Sequence, residues 1–173
     1  MERDPPHAEF IRRSRAYLSE QYLPKIRESL RRLPEGDLWW RPNPASNSVG
    51  NLILHLAGNV RQWVVAGIAG EEDVRDRAHE FAAEGGLDAD GLLAHLEETL
   101  ARVDDTLAGL DPTLLEEPRT IQGMETTGFG ALYHAVEHFA MHTGQILWIT
   151  KMRTGEGLGF YSVSDDGSVS THW

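Results

Sequence analysis

Apolar side chains recur at helical spacing along most of this chain, and the pattern predicts four helices. Between Ala8 and Leu33, the positions Phe10, Tyr17, Leu18, Tyr22, Ile26, Leu30 and Leu33 share one face. Pro24 has no amide hydrogen to donate, so this helix is expected to kink or split near Leu23. A second helix starts after Ser48, a good N-cap, and runs to about Ala69, where Gly70 ends it. Leu52, Ile53, Leu56, Val60, Trp63, Val64 and Ile68 form its buried stripe. The third runs from about Asp88 to Ala108 on Leu92, Leu96, Leu100, Val103 and Leu107. The fourth spans Gly128 to Lys151, with Leu132, Val136, Phe139, Ile146 and Ile149 facing inward.

Long connections separate these helices. The stretch LPEGDLWWRPNPASNS holds three prolines and reads as a loop. Its Trp39 and Trp40 are expected to cap one end of the core, or else to wall a pocket. Residues 71–86 are charged and broken by glycine, a connection with room for one helical turn. Residues 111–127 form another, with a small hairpin expected about Gln122-Gly123. The Gly- and Ser-rich tail after Gly155 suggests a second hairpin around Asp166-Gly167. Four amphipathic helices and few strands predict an all-α fold, a four-helix bundle forming a single domain over residues 1–173.

Composition narrows the chemistry. With no cysteine, the chain has no disulfide, thiolate ligand or cysteine nucleophile of its own. A formal charge of −11 argues against general nucleic-acid binding, which needs cations to neutralise phosphates. No apolar run reaches the roughly 18 residues of a membrane span, and MERDPPHAEF lacks a signal-peptide core. The expectation is a cytoplasmic protein with a small-molecule substrate and neither nucleic-acid nor membrane partners.

Histidine placement is the main chemical signal. Of eight histidines, His134, His138 and His142 lie four residues apart on the fourth helix. Imidazoles one helical turn apart on one face can hold one metal ion between them. His7, His79, His95 and His172 carry no such pattern. His134-Ala-Val-Glu137-His138 also fits the H-x-x-E-H protease signature, but that reading wants a further acidic ligand downstream, and only Glu156 is there as a glutamate. On the second helix, His55 shares a narrow sector with Leu52, Asn59 and Gln62, polar where it adjoins the core.

NSVGNLILHLAGNVRQW (residues 47–63) together with YHAVEHFAMHTGQI (residues 133–146) and the later KMRTGEGLGFY resembles the DinB/YfiT-like superfamily of four-helix bundles. That resemblance implies a divalent-metal site made by His55, His138 and His142. It leaves His134, Asn59, Gln62 and Gln145 as second-shell or pocket candidates. It further implies a metal-dependent enzyme, with zinc or nickel as the first candidates for the ion and a homodimer as a possible assembly. Some relatives are S-transferases using bacillithiol, mycothiol or glutathione, and others are described as metal-dependent hydrolases. A protein without cysteine would need a low-molecular-weight thiol as cosubstrate. A hydrolase would need a carboxylate base near the metal, and the His55 sector offers none. A non-catalytic metal- or ligand-binding protein is the third reading. All three require the second and fourth helices to pack as neighbours, with the three imidazoles converging beside open space.

Overall fold

Helical propensity and end signals place the elements of the fold, a computed structural model that describes residues 5–173. The first four residues, on which the reading of the N-terminus partly rests, lie outside the described residues. The first bundle helix comes in three pieces: α1 (Pro6–Ala16), a π-turn (Tyr17–Tyr22) and α2 (Leu23–Arg32). The expected break at Pro24 takes this form. Proline contributes no donor there, and the Leu23 amide reaches back to the carbonyl of Leu18.

Ser48 caps α3 (Val49–Val60) through a reciprocal pair of bonds. Its hydroxyl accepts from the Asn51 amide at 3.1 Å, while its own amide donates to Asn51 Oδ1 at 3.1 Å. A second π-turn, Arg61–Ala66, continues this helix, with the Gly67 amide bonded to the Gln62 carbonyl at 2.8 Å. The chain then turns at Gly70, whose φ is +79°. The single helical turn expected in the connection is α4 (Arg77–Ala82), capped by Asp76. Asp88 caps α5 (Ala89–Ala108), and α6 (Gly128–Thr154) ends at left-handed Gly155.

Both expected hairpins form. Strand β1 (Pro118–Ile121) pairs antiparallel with β2 (Met124–Thr127), Ile121 opposite Met124. Gln122 and Gly123 between them have φ of 54° and 76°, the pair of positive values that a two-residue type I′ turn demands. Strand β3 (Tyr161–Val163) pairs with β4 (Val169–Thr171). Among the described residues, no helix is long and apolar enough to cross a membrane.

Packing puts α3 against both α5 and α6, and α2 against α5 and α6, so the mostly helical fold is a four-helix bundle. Its core includes Ile26, Leu56, Leu96, Phe139 and Ile146, all fully buried. Trp39 seals one end. Its ring lies over Gly50, where any Cβ would sit 2.7 Å from it, and its Nε1 donates to the Leu87 carbonyl at 3.1 Å. Trp40 instead walls a cavity, so the two tryptophans divide the two expected roles between them.

Candidate metal centre

Helix α6 presents His138 and His142 one turn apart, and its packing against α3 brings His55 to them. One ring nitrogen from each of the three lies within 4.8 Å of the others. Two Zn–N bonds of about 2.0–2.1 Å each span nearly that distance. His55 Nε2 and His138 Nε2 are 2.8 Å apart, and the His138 and His142 ring centres are separated by 4.4 Å. His55 and His142 are buried and His138 is half-buried, in a bundle interior rather than on a solvated face.

Two of the three rings are held from behind. Glu80 Oε2 lies 2.9 Å from His55 Nδ1. A carboxylate can only accept, so the proton sits on Nδ1 and the His55 Nε2 lone pair faces the cluster. Arg75 clamps the same carboxylate, its Nε donating to Oε1 at 2.7 Å and its Nη2 to Oε2 at 2.7 Å. The pair is almost fully enclosed, with side-chain exposures of 3% for Arg75 and 7% for Glu80. Gly58 makes this possible: a Cβ at that position would collide with the Glu80 carboxylate. On the other side, His142 Nδ1 donates to Gln145 Oε1 at 2.7 Å, which leaves the His142 Nε2 bare as well.

Electrostatics disfavour a positive charge on the imidazoles of α6. Burial, reinforced by the neighbouring imidazoles and Arg75, pushes His138 down to about 3 from its ordinary 6.5. Burial also lowers His142, against the opposing hydrogen bond from Gln145, and it lowers His134. For Glu80, burial favours the neutral acid, but the hydrogen bonds from Arg75 and His55 outweigh it and the group is held below the usual carboxylate value. Without metal the bare His55 Nε2 accepts from His138 Nε2–H at 2.8 Å, a proton that a bound ion would displace, and neutral imidazole is the form in which histidine ligates a metal. The donor set therefore fits a divalent cation.

His134 stands outside the triad. Its ring, one turn earlier on α6, stacks on His138 at 5.1 Å and lies 4.0 Å from Trp63. Asn59 is buried one turn after His55. Gln62 accepts from Arg75 Nη1 at 2.8 Å and donates to Asp73 at 2.6 Å, bracing the arginine that holds Glu80. Glu137, the base of the protease signature, is exposed. Open space is expected beside the three imidazoles, but the two cavities lie one step outside them. A cavity of about 340 Å³ is lined by Gln145, and a groove of about 670 Å³ by Arg75, Glu80 and Gln62. Neither is lined by the three histidines themselves.

Residues 7–166 match the family described as "Protein of unknown function (DUF1572)". The chain belongs to that family. Solved structures share the fold of this DUF1572 protein. A DinB-like protein, YjoA, from Bacillus subtilis is similar at 17% identity and a TM-score of 0.61, covering 86% of this chain and 93% of that one. A DinB-like protein from Bacillus cereus is 13% identical with a TM-score of 0.63, covering 81% and 91%. A conserved protein from Enterococcus faecalis is 17% identical with a TM-score of 0.61, covering 90% and 99%. No curated protein matches the chain. The DUF1572 chain thus has a DinB-like bundle, and its three-histidine cluster fits a metal-binding protein.

Glu80 and Arg75 were not singled out by the sequence, because both lie in the charged connection between the second and third helices. Gly58 was the available signal. A glycine inside a helix costs about 1 kcal/mol relative to alanine, so one placed three residues after a buried histidine marks a close approach.

Proposed function

We propose that this protein is a metal-dependent S-transferase that holds one divalent ion, zinc or nickel, with His55, His138 and His142. It takes its nucleophile from a small-molecule thiol. The observation that carries the choice of reaction is the fate of Glu80, the carboxylate at the cluster: Arg75 and the His55 Nδ1–H occupy it. Hydrolysis would need a carboxylate free to take a proton from attacking water, and Glu137 of α6 is exposed to solvent. A divalent ion at the triad supplies Lewis acidity, which lowers the pKa of a bound thiol.

The chain's own part is orientation. Glu80 and Gln145 keep protons on the outer nitrogens of His55 and His142, and Arg75 keeps Glu80 ionised and in place. In the transfer, the thiol gives up its proton, its sulfur bonds to an electrophilic carbon, and the leaving group departs with the electrons of the broken bond and takes up a proton. The lack of cysteine means that no residue of this chain competes with the cosubstrate as a sulfur nucleophile.

Elemental analysis of protein purified without an affinity tag tests the first half, with about one ion per chain expected. The second half is tested by supplying glutathione, bacillithiol or mycothiol with an aryl halide and measuring halide release. Turnover is expected only with both thiol and metal. Thiol-independent ester hydrolysis by the metal-loaded protein would overturn the transferase reading in favour of a hydrolase.

A further inference from the structure

The cavity beside Gln145 is formed by the loop after Trp40, the first turns of α3 and the last turns of α6. It touches the triad's supports at two points. Gln145 both lines it and accepts from His142 Nδ1, and Leu52 lines it one turn before His55. None of the residues lining it is charged. Two indoles form walls. Trp40 is fixed by the Arg153 guanidinium, 4.4 Å from its ring centre, and Asp37 anchors that arginine in turn. Trp148 is left 61% exposed, a large apolar surface with no partner ring among the described residues. About 340 Å³ lies at the small end of ligand pockets, which run from about 300 to 1,000 Å³.

We infer that this cavity is a binding site for an uncharged aromatic group, the body of the electrophilic substrate, held between Trp40 and Trp148 with its reacting atom toward the three histidines. This rests on the transferase reading for the identity of the ligand as substrate. The lining chemistry selects the electrophile over the thiol, because a carboxylate- or ammonium-bearing cosubstrate would lose its hydration here without gaining an ionic partner. Indole walls instead reward a flat apolar ring by stacking and by burying area.

Ligand-observed fluorine NMR on the full-length protein tests the site with two probes of one shape, neutral 4-fluorobenzyl alcohol and anionic 4-fluorobenzoate. With the metal stripped by chelator, so that no ion at the triad attracts the carboxylate, saturable binding of the alcohol is expected, with the benzoate bound roughly tenfold more weakly because its charge must be desolvated. Trp148→Ala should weaken alcohol binding roughly fivefold by removing one stacking wall. Met152→Ala, on the same wall, gives a second reading should the first variant fold poorly. His138→Ala should leave probe binding unchanged while losing metal, which keeps the two readings separate. Wild-type protein that binds metal but not the alcohol, or that binds both probes equally, overturns the cavity assignment. Probe binding without metal binding by the wild type would retain the cavity and remove the transferase reading beneath it.

Discussion

Replacing Glu80 by alanine should damage stability and metal binding together, and the two losses can be pulled apart. The carboxylate accepts from Arg75 Nε, Arg75 Nη2 and His55 Nδ1 at 2.7, 2.7 and 2.9 Å. Its removal strands the Arg75 guanidinium at 3% exposure, and breaking a buried pair in this one-sided way costs roughly 3–5 kcal/mol. It also frees the His55 ring to change tautomer, which for a residue behind a metal ligand costs about 10–100-fold in affinity. The double variant Arg75→Met with Glu80→Leu removes both charges and fills the space. It should regain most of the stability, since an apolar replacement of a buried pair is often neutral, but none of the metal affinity. Urea unfolding of the metal-free proteins reports the first quantity and zinc titration with a competing chelator the second. If the double variant recovered metal affinity along with stability, Glu80 would be a packing element only, and the orienting role assigned to it would be wrong.

Three other outcomes are expected. Gly58→Ala should lose about 1–3 kcal/mol from overpacking against Glu80, more than the roughly 1 kcal/mol gained in helix propensity. A more stable variant in thermal unfolding would refute the close contact. His138 titrates at about 3 in the folded protein against 6.5 ordinarily, so the unfolded chain takes up its proton first as pH falls. Metal-free protein should therefore keep this contribution above about pH 6.5 and lose it progressively toward pH 3, and urea midpoints that stay flat from pH 7 to 4 would contradict the burial argument. Finally, His138→Ala and His142→Ala should each abolish stoichiometric metal binding, whereas His134→Ala should only weaken it. Equal loss in all three, by elemental analysis, would move the triad.

Much of the bundle is legible in the sequence because each helix carries its own periodic stripe and its own stop signals. Ser48 and Asp88 mark starts that the structure reproduces, α6 continues past the expected Lys151 to Thr154, and Gln122-Gly123 marks a turn through its backbone demand alone. The site is legible in part. Spacing nominates His134, His138 and His142 equally, since equal steps along α6 look alike in one dimension. Tertiary packing separates them, because His134 lies against Trp63, about two turns beyond His55. Glu80 and Arg75 were hidden for a different reason. Charges in an irregular connection normally meet solvent, and only the path of the chain over Gly58 turns these two inward.

The π-turns have a consequence for how sequences like this one can be compared. Each holds one residue more than the α-helical turn it replaces. In alignment terms, Tyr17–Tyr22 and Arg61–Ala66 are single-residue insertions that a helix has absorbed instead of expelling them to a loop. A relative with straight helices would align only if a gap is opened inside an element where gaps are normally forbidden. Left unopened, the mismatch would rotate every later position by about 100°, trading inward for outward residues up to the next loop. His55 precedes the second insertion and Gly70 follows it, so the histidine keeps its register either way. What the extra residue resets is the angle at which the chain departs toward Arg75 and Glu80.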